Sequence, residues 1–388
     1  MESMISNTCR AFLSNKRNSI LHIRQRSANT KMNLLKAYAI IAVVAGHTNG
    51  GGITYPMSNW IHPGFYYMPL FIFISGYFHK QKQDAQSFFA YTKSKAASLV
   101  LPYFIWNAVY GFLNLIFRSL GVIRYGDPVT FYSFFVRPWV DGHQYHFNIA
   151  SWFLLSLFLI SIITFAIRKI MKDERFCLIL TLAISLLSVY LSQRGYNQGL
   201  ALCLLRAGYM LPYFQLGFLY RRFENFLRKY ATAFLGIVLV AMYTIYIAAG
   251  STGLSAQAVF CRFTGSPLLI TGLTILSILA TATVADVLSP AFERSRIVHT
   301  IGNHTFTIMM HHGFVIFLIN FAIYILNFFT EVSTFDLAKF QTTLWYTCPW
   351  KDSRIYLIYL ALGIAIPLVC KLIIDNVIVK QYDAIHQS

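Results

Sequence analysis

Residues 33–50 read Asn33-Leu-Leu-Lys36-Ala-Tyr-Ala-Ile-Ile-Ala-Val-Val-Ala-Gly46-His47-Thr-Asn-Gly50. The apolar run Ala37 to Gly46 follows a basic segment and leads into His47 without an A-x-A cleavage site, so it reads as a membrane helix and not as a cleaved signal. Nine further apolar stretches approach the ~17–25 residues needed to cross hydrocarbon: 62–79, 97–117, 150–167, 176–193, 199–220, 231–250, 267–287, 301–328 and 355–379. Of the 388 residues, 56% are hydrophobic and 12% charged, about half the charge of an average soluble domain. The expected fold is all-α, a polytopic integral membrane bundle of about ten transmembrane helices. Pro63 and Pro69 are expected to kink the second.

A formal charge of +18 would suggest nucleic acid in a soluble protein. In a membrane protein, Lys and Arg instead gather in cytoplasmic loops. If residue 1 lies inside, the inner segments carry 22 Lys and Arg and the outer ones 8, with Lys36 and Arg206 inside helices completing the 32. That asymmetry predicts both termini on the cytoplasmic side of the cell (inner) membrane and outward-facing segments at 118–149 and 330–354. The chain divides into a basic tail (1–32), a membrane domain (33–379) and a short C-terminal tail (380–388); Met32 is a candidate start. Six cysteines without CxxC spacing suggest neither a metal site nor a disulfide framework.

Ionisable groups inside a bilayer are costly and are functional candidates by default. All the acids but Asp375 fall in loops, tails or helix ends; Lys36, His47, Arg206, His311 and His312 populate the membrane interior. Mid-membrane carboxylates of the kind ion-coupled transporters use are missing, and a cationic interior suits an anionic ligand. Lys36 and His47 are eleven residues apart, so they share one helix face about 16 Å apart along the axis, a span that suits a phosphate anchor and a reaction centre. Lys36 has a second reading as a snorkelling orientation signal, and His47 one as a packing residue.

At these residues the sequence resembles acyltransferase family 3, integral membrane O-acyltransferases, and within it the fucose 4-O-acetylase-like branch. The family's first helix carries Arg or Lys, ten residues, then His, as Lys36 and His47 do. Other fragments agree in order: Ser75-Gly76-Tyr77, the basic Lys93-Ser-Lys95 before Pro102-Tyr103, Ser151-Trp152-Phe153-Leu154, Tyr213-Phe-Gln-Leu-Gly217, and Gly302-Asn-His-Thr305 leading to His311-His312. Thr305 replaces a common Ser. The resemblance covers roughly residues 24–379. It implies an acyl-coenzyme A co-substrate (acetyl-CoA in the simplest case), no permanently bound cofactor, and a carbohydrate or lipid-linked glycan acceptor. With no esterase-like segment after the last span, the acceptor is expected to be recognised by the membrane unit itself.

In this reading neutral His47 is the general base, and Lys36, Lys93 and Lys95 hold the donor phosphates; a covalent acyl-histidine route is left open. Arg206, His311, His312 and Trp152 form the candidate acceptor-binding set. Arg206 has a competing role with helix-end carbonyls or Asp141. Adjacent helical residues point about 100° apart, so at most one of His311 and His312 should reach His47. The outer stretch Trp139 to His146 reads either as a sugar-binding surface or as an aromatic belt. A metal bound by these histidines lacks a carboxylate or thiol to complete it, and Ser75 has no base fixed beside it. The alternative function is a transporter or flippase of a lipid-linked sugar.

Overall fold

The computed structural model describes residues 30–48, 63–80, 86–140, 145–250, 253–332, 334–349 and 355–387, with side chains as far as residue 380. Most of the basic tail (1–29), Asp141 and His143 of the outer stretch, and Ser388 lie outside the described residues.

A bilayer offers no water to backbone amides, so each segment must satisfy its own hydrogen bonds as a helix. Apart from short turns of helix, the helices are α1 (Thr30–His47), α2 (Tyr67–Phe78), α3 (Phe88–Ser119), α4 (Trp152–Ile170), α5 (Glu174–Gln193), α6 (Gly199–Lys229), α7 (Ala231–Ala248), α8 (Pro267–Phe292), α9 (Arg296–Asn303), α10 (Thr305–Leu326), α11 (Leu337–Thr342) and α12 (Tyr356–Gln387). A hairpin pairs β1 (Ser255–Gln257) with β2 (Arg262–Thr264) between α7 and α8. Among the described residues, eight helices are long and apolar enough to cross a membrane, which makes the chain a polytopic helical bundle.

The first two of the ten apolar segments, α1 and α2, fall outside those eight, for a physical reason. With 12 residues, α2 is about 18 Å long, short of the ~30 Å hydrocarbon core. The helix α1 packs against α2, α8, α9, α10 and α12 and buries most of its length. Enclosed by protein, it needs no lipid-facing surface and can carry lysines. Pro69 does not kink α2. It lies in the first turn, where its missing N–H would have no partner in any case, and Leu70 N already donates to Tyr66 O at 2.9 Å.

Glycines decide how closely the helices approach. A Cβ on Gly76 would lie 1.9 Å from the carbonyl oxygen of Phe214, and one on Gly217 would lie 1.9 Å from that of Phe73. Thus the Ser75-Gly76-Tyr77 and Leu216-Gly217 fragments are two halves of one backbone contact between α2 and α6. Gly302 brings α9 against α1 in the same way, since a Cβ there would lie 2.6 Å from the carbonyl oxygen of Asn33.

The tail boundary also shifts. Thr30, Lys31 and Met32 belong to α1, and Lys31 is buried with its amine 2.8 Å from Glu224 and 2.9 Å from Asp286. Tyr220 donates to Asp286 and Tyr77 to Glu224, both at 2.6 Å. Asp375 is therefore not the one acid enclosed by helices. Because α6 runs on past residue 220, Glu224 lies within it, and Asp286, at the end of the 267–287 stretch, is a full turn inside α8; both acids neutralise Lys31. Asp375 itself pairs with Lys371 one turn away.

Candidate functional site

On α1, Lys36, Ile40 and Val43 form one stripe at helical spacing, and this stripe lines a cavity of about 220 Å³. Ser75 of α2, Leu99 of α3, Phe153 of α4 and Thr305 and Met309 of α10 complete the part of the wall that matters here. Lys36 is the one charged group among the described lining residues. Ser75 donates to the carbonyl of Phe71 at 2.8 Å, a hydrogen bond within its own helix. A second cavity of about 160 Å³, on another side of α1 beside Leu34, Tyr38 and Met242, has no charged lining.

Both walls of the Lys36 cavity lead to the same place. One turn beyond Val43 on α1 comes His47, and three residues beyond Met309 on α10 comes His312. His47 Nδ1 and His312 Nε2 are 2.6 Å apart, and His312 Nδ1 lies 2.8 Å from the carbonyl oxygen of Ile308. The ring planes are 9° from parallel with centroids 4.9 Å apart. So short an N···N distance leaves no room for face stacking, and the rings meet edge to edge. His312 is seven residues, about 10 Å, into α10, so the pair sits within the bundle and α1 ends there.

His47 also packs against Trp345, whose ring centroid lies 4.8 Å from that of the imidazole. Trp345 comes from the stretch 330–354, which hydropathy places outside as a loop. Part of that stretch turns inward. Asn320 of α10 donates to the Tyr346 carbonyl at 2.8 Å and accepts from Cys348 N at 3.3 Å, while Tyr359 of α12 donates to the same amide oxygen at 2.7 Å. These bonds replace water for a loop backbone inside the bundle.

The remaining candidates separate into groups. His311 points away from His312, as adjacency on a helix requires; its Nδ1 is 2.6 Å from Tyr110 Oη and its ring meets Trp106 edge-on at 4.3 Å. Lys93 is exposed and Lys95 lies over the Tyr91 ring at 5.4 Å, both at the end of α3 that precedes Leu99 of the cavity. Arg206 is fully buried over the indole of Trp152 at 4.7 Å and donates to the Val259 carbonyl. Neither Arg206 nor Trp152 lines the cavity. The face of the guanidinium is taken up by the indole and its edge by a hairpin carbonyl, so this pair ties α4, α6 and the 255–264 hairpin together. Trp106, Tyr110 and Trp345 had no signal in the sequence beyond aromatic composition.

A family model described as an acyltransferase domain, that of acyltransferase family 3, matches residues 29–372. No curated protein and no solved structure matches the chain.

Proposed function

The chain belongs to acyltransferase family 3 and is a multi-pass membrane O-acyltransferase, and from that premise we propose that it transfers an acyl group, acetyl in the simplest case, from acyl-coenzyme A to a hydroxyl of a carbohydrate or lipid-linked glycan. The observation that carries this reading is the stripe of Lys36, Ile40 and Val43 that bounds one cavity and continues to the His47–His312 pair. A cation at one end and a base about 16 Å further along suit an extended pantetheine arm, with phosphates at Lys36 and the thioester at His47.

Lys36, with Lys93 and Lys95 near the α3 end of the cavity, holds the donor phosphates. His47 takes the proton from the acceptor hydroxyl while that oxygen attacks the thioester carbonyl. When the tetrahedral intermediate collapses, the C–S bond breaks and His47 returns the proton to the departing sulfur. Ester and free coenzyme A leave, and the imidazole is neutral again. In this proposal the acceptor approaches through the aromatic surroundings of His47, formed by Trp345, and of His311, formed by Trp106 and Tyr110. Arg206 and Trp152 support the site by packing. The protein lies in the cell membrane with both termini cytoplasmic, and its acceptor is of the kind used by the fucose 4-O-acetylase-like branch.

The test compares cell-surface glycan mass with and without the gene, together with coenzyme A release by purified protein in detergent. An alkali-labile acyl increment and acceptor-dependent release are expected. Unchanged glycans with sugar movement across sealed vesicles would instead support a lipid-linked sugar transporter.

A further inference from the structure

We infer that His312 is a positioning residue that fixes His47 as its Nδ1–H tautomer and so assigns proton abstraction to the Nε2 atom of His47. The argument runs inward from a backbone carbonyl. Ile308 O can only accept, so the 2.8 Å contact requires a proton on His312 Nδ1. A neutral His312 then has a lone pair on Nε2. That atom faces His47 Nδ1 at 2.6 Å, so the proton between them belongs to His47 Nδ1. His47 Nε2 is left unprotonated on the side of the ring away from His312.

The other arrangement, a doubly protonated His312 donating in both directions, would place an imidazolium in a position that is 1% exposed. Among the described residues neither ring has a carboxylate partner, and an unpaired charge inside a membrane bundle is expensive. The neutral pair is favoured. Position 312 is also held from behind, since Gly363 of α12 approaches Val44 and the His312 Cβ.

The catalytic consequence rests on the acyltransferase reading. A lone imidazole exchanges its proton between the two nitrogens; with Nδ1–H bound to His312, the Nε2 lone pair is present in every encounter with the acceptor hydroxyl. When Nε2 takes that proton, His47 Nδ1–H donates more strongly to His312 Nε2, which eases the transient positive charge without a carboxylate.

Nitrogen-15 spectra of histidine-labelled wild-type protein, assigned with His47→Gln, test the tautomer without substrate. A protonated Nδ1 and a bare Nε2 are expected on both rings; Nε2–H on His47 overturns the inference. In kinetics, His312→Leu should lower kcat by roughly 10²-fold with the KM for acyl-coenzyme A unchanged. His312→Gln, whose amide oxygen can accept from His47 Nδ1–H, should recover most of that loss. Full activity in His312→Leu, or equal losses in both variants with normal folding, refutes the positioning role. If the wild type transfers no acyl group at all, the acyltransferase reading fails while the spectra still decide the tautomer.

Discussion

The indole of Trp345 and the imidazole of His47 lie with ring centroids 4.8 Å apart, inclined at 51°, although hydropathy assigns one to an outer loop and the other to the first membrane span. Trp345 leaves 44% of its surface exposed, so it presents an open aromatic face next to His47.

That placement predicts a role in acceptor binding. Trp345→Ala should raise the KM for the acceptor roughly two- to tenfold, the range of one aromatic contact, and leave the KM for acyl-coenzyme A unchanged. Trp345→Phe should retain most acceptor affinity. Initial rates with each substrate varied in turn check both outcomes.

Lys36 and His47 should fail in different ways. Lys36→Ala should weaken donor binding and be partly rescued by excess acyl-coenzyme A, whereas Lys36→Arg should keep most activity because charge and reach survive. His47→Ala should bind the donor yet lose about 10² to 10⁴ in turnover, with no rescue. Glutamine can replace a packing hydrogen bond but cannot accept the proton, so a His47→Gln protein that inserts normally and acylates at near-normal rate would show that the histidine is structural.

The buried ion pairs of Lys31 concern stability. Removing one partner leaves charges enclosed without compensation, so Lys31→Met should cost about 3–5 kcal/mol because Glu224 and Asp286 remain. Adding Glu224→Gln and Asp286→Asn should return part of that loss. Thermal unfolding of the purified variants in detergent measures both.

The glycine contact between α2 and α6 admits no side chain, since the facing atoms belong to backbone. Gly76→Ala or Gly217→Ala should force the two helices apart at a cost of at least 1–3 kcal/mol, the range for overpacked cores. An equivalent change at Gly236, where a Cβ meets nothing within 4 Å, should leave the unfolding midpoint nearly unchanged.

Reporter fusions test the orientation. A fusion near residue 128 should report the outer side and one near residue 172 the cytoplasm. The reverse pattern would exchange the donor and acceptor sides of the site.

The sequence alone determined the membrane class, most of the helix positions and the shared face of Lys36 and His47, because hydropathy and the helical repeat are local properties. Only the tertiary structure decided which histidine meets His47. Positions 311 and 312 have the same chemistry and neighbouring places in the chain, and the choice depends on how α10 is rotated against a helix 265 residues earlier. The same holds for Lys31, which composition cannot tell from a tail cation until Glu224 and Asp286 are brought beside it. The stretch around Trp345 shows the limit most directly. A polar, aromatic loop reads alike whether it faces water or folds inward, and here the amide of Asn320 supplies the hydrogen bonds that let its backbone enter the bundle.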